Sequence, residues 1–114
     1  MIVWLALGLA ACSADTALLG DYTLHDFGGS NQTILGNQGA MMVGQVTSLA
    51  INDPFIYVES YQFDDPRNCS YKLIDTSNHS LMDLPAGTLA RRQAIAAIKT
   101  QRKEIMPRSC VFRP

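Results

Sequence analysis

Beyond residue 20 the chain reads as short runs of alternating apolar and polar positions, separated by clusters of Gly, Asn, Asp and Pro. A period of two is what a half-buried strand requires. Residues 22–27 (Tyr-Thr-Leu-His-Asp-Phe) predict a first strand, broken by Gly28-Gly29-Ser30-Asn31. Residues 32–35 predict a short second strand. Residues 41–51 follow as one longer strand, with Val43, Gln45, Thr47, Leu49 and Ile51 on one face. Asn52-Asp53-Pro54 is a turn, because Asn and Asp bond their own backbone and Pro presets φ. Residues 55–63 are the clearest strand, rich in β-branched and aromatic side chains. Phe55, Tyr57, Glu59, Tyr61 and Phe63 share one face, read as core; Ile56, Val58 and Ser60 share the other, free to dock a partner if uncovered. A polar loop, 64–68, precedes strands at 69–75 and 80–84.

The period then changes. Thr88 is placed to cap a helix over 88–104, whose Ala, Arg, Gln and Lys content suits that state and contains no Gly or Pro. Ile95, Ile98 and Ile105 fall near one face beside Ala94 and Ala97, and Pro107 ends the segment. About five to six antiparallel strands in a meander, with one C-terminal helix packed on them, make an α+β domain.

The first eleven residues break both patterns. Met1 to Gly8 is an unbroken apolar run, followed by Leu9-Ala10-Ala11-Cys12. It is too short for a bilayer span, which needs roughly 20 apolar residues, and has the length of a signal-peptide core. The alternatives are an ordinary signal peptide or a core element. A branched apolar residue, two small residues and a Cys resemble the lipobox of bacterial lipoproteins, although the first charge is Asp15 and no Lys or Arg opens the segment. The resemblance implies cleavage before Cys12, acyl chains on Cys12, a signal over 1–11, a tether over 12–20 and a single domain over 21–114. It also implies a membrane partner through that anchor. Ser13, where Asp would retain a lipoprotein at the inner membrane, implies the periplasmic face of the outer membrane.

Three cysteines are an odd number for an exported chain. Assigning Cys12 to lipid leaves Cys69 and Cys110 for one disulfide, which an oxidising compartment permits; the alternative is two buried free thiols. No Cys-x-x-Cys exists, and His25 and His79 are the sole histidines, so no metal site is expected.

The formal net charge is −1, unevenly spread. Every acid except Glu104 precedes residue 84, against Arg67 and Lys72 alone, while Arg91, Arg92, Lys99, Arg102, Lys103, Arg108 and Arg113 follow it. The basic part reads as a solvated helix face; docking on the acidic strands or on lipid headgroups is the alternative. Export and near-neutral charge argue against nucleic acid.

No nucleophile elbow, zinc-protease pair or phosphate loop is present. His25 and Asp26 are adjacent on a strand and point to opposite faces, so they cannot act together. His79 sits in a turn and is expected at the surface. Asp64, Asp65 and Asn68 lack the spacing of a calcium loop. The expectation is a non-enzymatic, cofactor-free envelope protein that binds a protein partner. The alternative is an inhibitor of an enzyme or phage receptor, using a loop at Asp64, Asp65, Arg67 and Asn68, or at 36–39.

Overall fold

A computed structural model describes residues 15–28, 31–62, 65–101, 103–105 and 110. The fold is α+β, built from two antiparallel sheets and one helix. The first sheet is a meander of β1 (Asp15–Leu19), β2 (Tyr22–Asp26), β3 (Gln32–Leu35) and β4 (Met41–Val43), adjacent in chain order. The second contains β5 (Val46–Asn52), β6 (Phe55–Gln62), β7 (Asp65–Asp75), β8 (Ser80–Asp83) and β9 (Lys103–Glu104), ordered β8-β7-β6-β5-β9. The helix α1 spans Leu89–Gln101.

The alternation is therefore right in kind, but the described residues hold nine strands where five to six are expected. Two account for much of the difference. Asp15–Leu19, read as tether, is a strand paired with β2. The run at 41–51 is split by Gly44-Gln45, where Gln45 takes a left-handed φ of 51° and the chain passes from one sheet to the other.

Splitting the strands into two sheets changes what lies inside. Tyr22, Leu24, Ile34 and Val43 of the first sheet share one core with Val46, Leu49, Ile56, Val58 and Ile74 of the second. Ala50, Cys69, Tyr71 and Leu84 form a second core with Ala94, Ile95 and Ile98 of the helix and with Cys110. Neighbours on one strand, such as Ile56 and Tyr57, enter different cores. The second sheet is thus the middle layer, with the first sheet on one face and α1 on the other. The face of Ile56, Val58 and Ser60 is consequently covered: the first two are fully buried and Ser60 is 3 % exposed. It offers nothing for docking.

The ends of the helix follow from side-chain chemistry. The Thr88 hydroxyl accepts the Arg91 amide, as an N-cap should. The other end stops at Gln101, short of the expected 104. Lys103 and Glu104 instead pair with Leu49 and Ser48 at the edge of β5. Ile105 accordingly packs against the inter-sheet core rather than on the helix face. Gln101 completes the join: Ile51 donates its amide to Gln101 Oε1 (2.9 Å), and Gln101 Nε2 donates to the Ile51 carbonyl (2.8 Å). Its side chain supplies the donor and acceptor that a strand residue in register would have supplied through its backbone.

The turn between β3 and β4 depends on the absence of one side chain. A Cβ on Gly36 would lie 2.8 Å from both the Tyr22 ring and Met42 Cγ. Real Cβ atoms do not approach so closely, so only glycine admits the buried tyrosine here.

Candidate functional site

The residues singled out by sequence occupy separate parts of this frame. Cys12 lies outside the described residues, three positions before Asp15. Cys69 and Cys110 form a disulfide with a Cα–Cα distance of 4.9 Å, and both are buried. The bridge joins β7 to the chain beyond the helix. The expected polar loop at 64–68 is largely strand. Asp65 opens β7 opposite Gln62, and Arg67 and Asn68 continue it, Arg67 exposed and Asn68 half-buried. Asp64 lies outside the described residues. The other suggested loop forms a single 3₁₀ turn, Asn37–Gly39, exposed throughout.

The two histidines are paired with other side chains. His25 does not engage Asp26; its Nδ1 pairs across the strands with Asp15, which lies opposite it in register. His79 is exposed in the β7–β8 turn, as expected, yet its Nδ1 shares a 2.8 Å hydrogen bond with the Tyr22 hydroxyl. That contact links the two sheets. Burial pushes the Tyr22 phenol above its ordinary pKa, and the nearby charges of Asp21 and Asp75 push it further the same way.

The most developed polar constellation is one that the alternation pattern concealed. Glu59, assigned to a core face with the aromatics, is fully buried. One carboxyl oxygen accepts the Thr47 hydroxyl at 2.8 Å, the other the Tyr71 hydroxyl at 2.8 Å. Thr47 reaches it because of a bulge: Val46 faces Ser60 and Ser48 faces Glu59, leaving Thr47 as the extra residue. Arg91 carries the network onward. Expected on a solvated flank, it is 8 % exposed, with its guanidinium 4.7 Å from the Tyr71 ring centroid. It also donates to the carbonyls of Leu84 (3.1 Å) and Cys69 (3.4 Å). Two signals in the sequence pointed here. A glutamate within an aromatic strand face needs a buried partner, and Arg91, Ala94, Ile95 and Ile98 fall at helical spacing on the buried stripe.

Arg91 and Tyr71 also border a groove of about 330 Å³ between β7, β8 and the start of α1, completed by Ser70, Lys72, Asp83, Leu84 and Pro85. Lys72 and Asp83 form an ion pair across β7 and β8. The groove therefore presents one ion pair already matched, with Ser70 two residues before Lys72 on β7. Such a surface suits a polar segment held by hydrogen bonds. It does not assemble a nucleophile with a base and an orienting group, as covalent catalysis requires. Nor do Glu59, Cys69 and Cys110, although close together, make a metal centre, since the two sulfurs are bonded to each other.

No family model, curated protein or solved structure matches this chain.

Proposed function

We propose that the protein is a lipid-anchored protein of the bacterial cell envelope, favouring the periplasmic face of the outer membrane, and that it acts by binding a partner rather than by catalysis. The observation that carries this reading is the fate of the cysteines. Cys69 and Cys110 satisfy each other, so Cys12 is the one left over, and it stands at the end of Leu9-Ala10-Ala11 behind an apolar run. A disulfide also suits a compartment outside the reducing cytosol. The polar groove beside Arg91 is the candidate face for an envelope protein partner. The inhibitor reading draws on the exposed turn Asn37–Gly39, which is open to contact by a target. An inhibitor forms a stoichiometric complex with one enzyme or phage receptor.

The anchor is tested by expressing the full chain in a bacterium with a fatty-acid analogue and measuring the intact mass, beside Cys12→Ala. The expected mass lacks residues 1–11 and gains acyl chains, and the label disappears in the variant. Label that survives the substitution, or a mass that retains residues 1–11, rejects the reading.

A further inference from the structure

We infer that Phe27, where the chain leaves β2, is a second membrane contact that enters the bilayer interface beside the acylated Cys12. The inference rests on the lipoprotein reading and adds an orientation to it. β1 and β2 are antiparallel, with Asp15 opposite His25. The start of β1 and the end of β2 therefore lie at one end of the first sheet. Cys12 is three residues before Asp15, and three residues of chain reach at most about 11 Å. An acyl anchor on Cys12 thus brings the Phe27 end of the sheet to the membrane surface.

Phe27 is fitted for that position. It is 53 % exposed, among the few large apolar side chains so exposed in the described residues. The ring is presented by a formed turn: the Phe27 amide donates to the Asn31 carbonyl (3.0 Å) and the Asn31 amide to that of Gly28 (3.1 Å). Asp26 Oδ1 accepts the Gly28 amide at 2.7 Å. The His25 ring packs edge-on against the Phe27 ring, 4.2 Å between centroids. A half-exposed apolar ring on a hydrogen-bonded backbone gains by entering the headgroup–acyl boundary. Its surroundings exclude an electrostatic alternative. Residues 15–46 contain Asp15, Asp21 and Asp26 and neither Lys nor Arg, so this end has no attraction for anionic headgroups. The contact is therefore with the apolar part of the lipid.

The chain supplies its own probe site. Trp4 is its single tryptophan and leaves with residues 1–11, so Phe27→Trp in the acylated protein is a sole reporter. Leu89→Trp, on an exposed position of α1 beyond the middle sheet, is the comparison. Both are reconstituted into phosphatidylcholine vesicles with or without brominated acyl chains, after intact mass has verified acylation. Phe27→Trp emission is expected to fall at least twofold with brominated lipid, while Leu89→Trp emission is unchanged. Acylated protein in which Phe27→Trp is unquenched, or both positions are quenched alike, overturns the inference and leaves the anchor standing. A mass without acyl chains overturns the anchor, and the orientation with it.

Discussion

A buried carboxyl is stable only as far as its hydrogen bonds are complete, and Glu59 shows how this fold completes them. The Thr47 hydroxyl reaches one oxygen through a bulge, and the Tyr71 hydroxyl reaches the other across β6 and β7. Tyr71 then offers its ring to the Arg91 guanidinium. Glu59→Ala removes the acceptor for both hydroxyls in a dry interior and is expected to cost roughly 2–4 kcal/mol. Tyr71→Phe keeps the ring over Arg91 and loses the hydroxyl's bond to Glu59, so about 1–2 kcal/mol is expected. Urea unfolding of the two single variants and the double variant checks this. Because both remove the same bond, the double variant is expected to fall short of additivity by more than 0.5 kcal/mol, the range typical of contacting residues.

At the level of elements, the helix is stopped by the strand it must meet. Nothing in the helix-forming composition of 88–104 marks a boundary at Gln101. The boundary arises because β5 has a free edge that Lys103 and Glu104 can pair with. Gln101→Ala is expected to cost about 1 kcal/mol, since its two bonds are exposed to competing water, and to accelerate hydrogen exchange at the Ile51 amide. Gln101→Glu, which keeps an acceptor for that amide but loses the donor, should protect Ile51 better than Ala does. The same distinction explains what the sequence makes legible. Strands at 22–26, 32–35 and 55–62 follow from alternation and β propensity, and the Thr88 cap from local backbone chemistry. β1, β9 and the division at Gly44-Gln45 depend on partners far along the chain, which a local pattern does not encode. Arg91 is hidden for the same reason: its side chain is buried because the distant Cys69 carbonyl and Tyr71 ring await it beside the nearer Leu84 carbonyl, despite its charge.

For the whole molecule, the arrangement is three layers, with β5 and β6 buried on both sides. The charge asymmetry of the sequence becomes a spatial one. The acids of residues 15–46 lie on the first sheet, and exposed Arg92 and Lys99 lie on the helix across the middle layer. The Cys69–Cys110 bridge joins the last part of the chain to that middle layer, closing a span of 41 residues that includes α1. A loop of that length is worth about 4 kcal/mol in the chain-entropy account. The Cys69→Ala, Cys110→Ala double variant is expected to lose about that much in urea unfolding, while keeping a folded baseline. An unchanged midpoint would mean that packing of the last segment, not the bridge, holds the layers together. Cys69 and Cys110 are legible as a pair only by counting, whereas Glu59 and Arg91 each leave a signal in the sequence but their meeting at Tyr71 is visible only in three dimensions.

The early start of β1 has a consequence for how such a protein could leave a membrane. Proteases that shed surface domains cut in exposed, extended chain between the anchor and the fold. With β1 hydrogen-bonded to β2 from Asp15 onward, only Ser13 and Ala14 separate Cys12 from paired backbone. An anchored chain of this design offers no stalk to cut. It would persist at the surface for as long as its first hairpin stays closed, and its release would be governed by the opening of that hairpin.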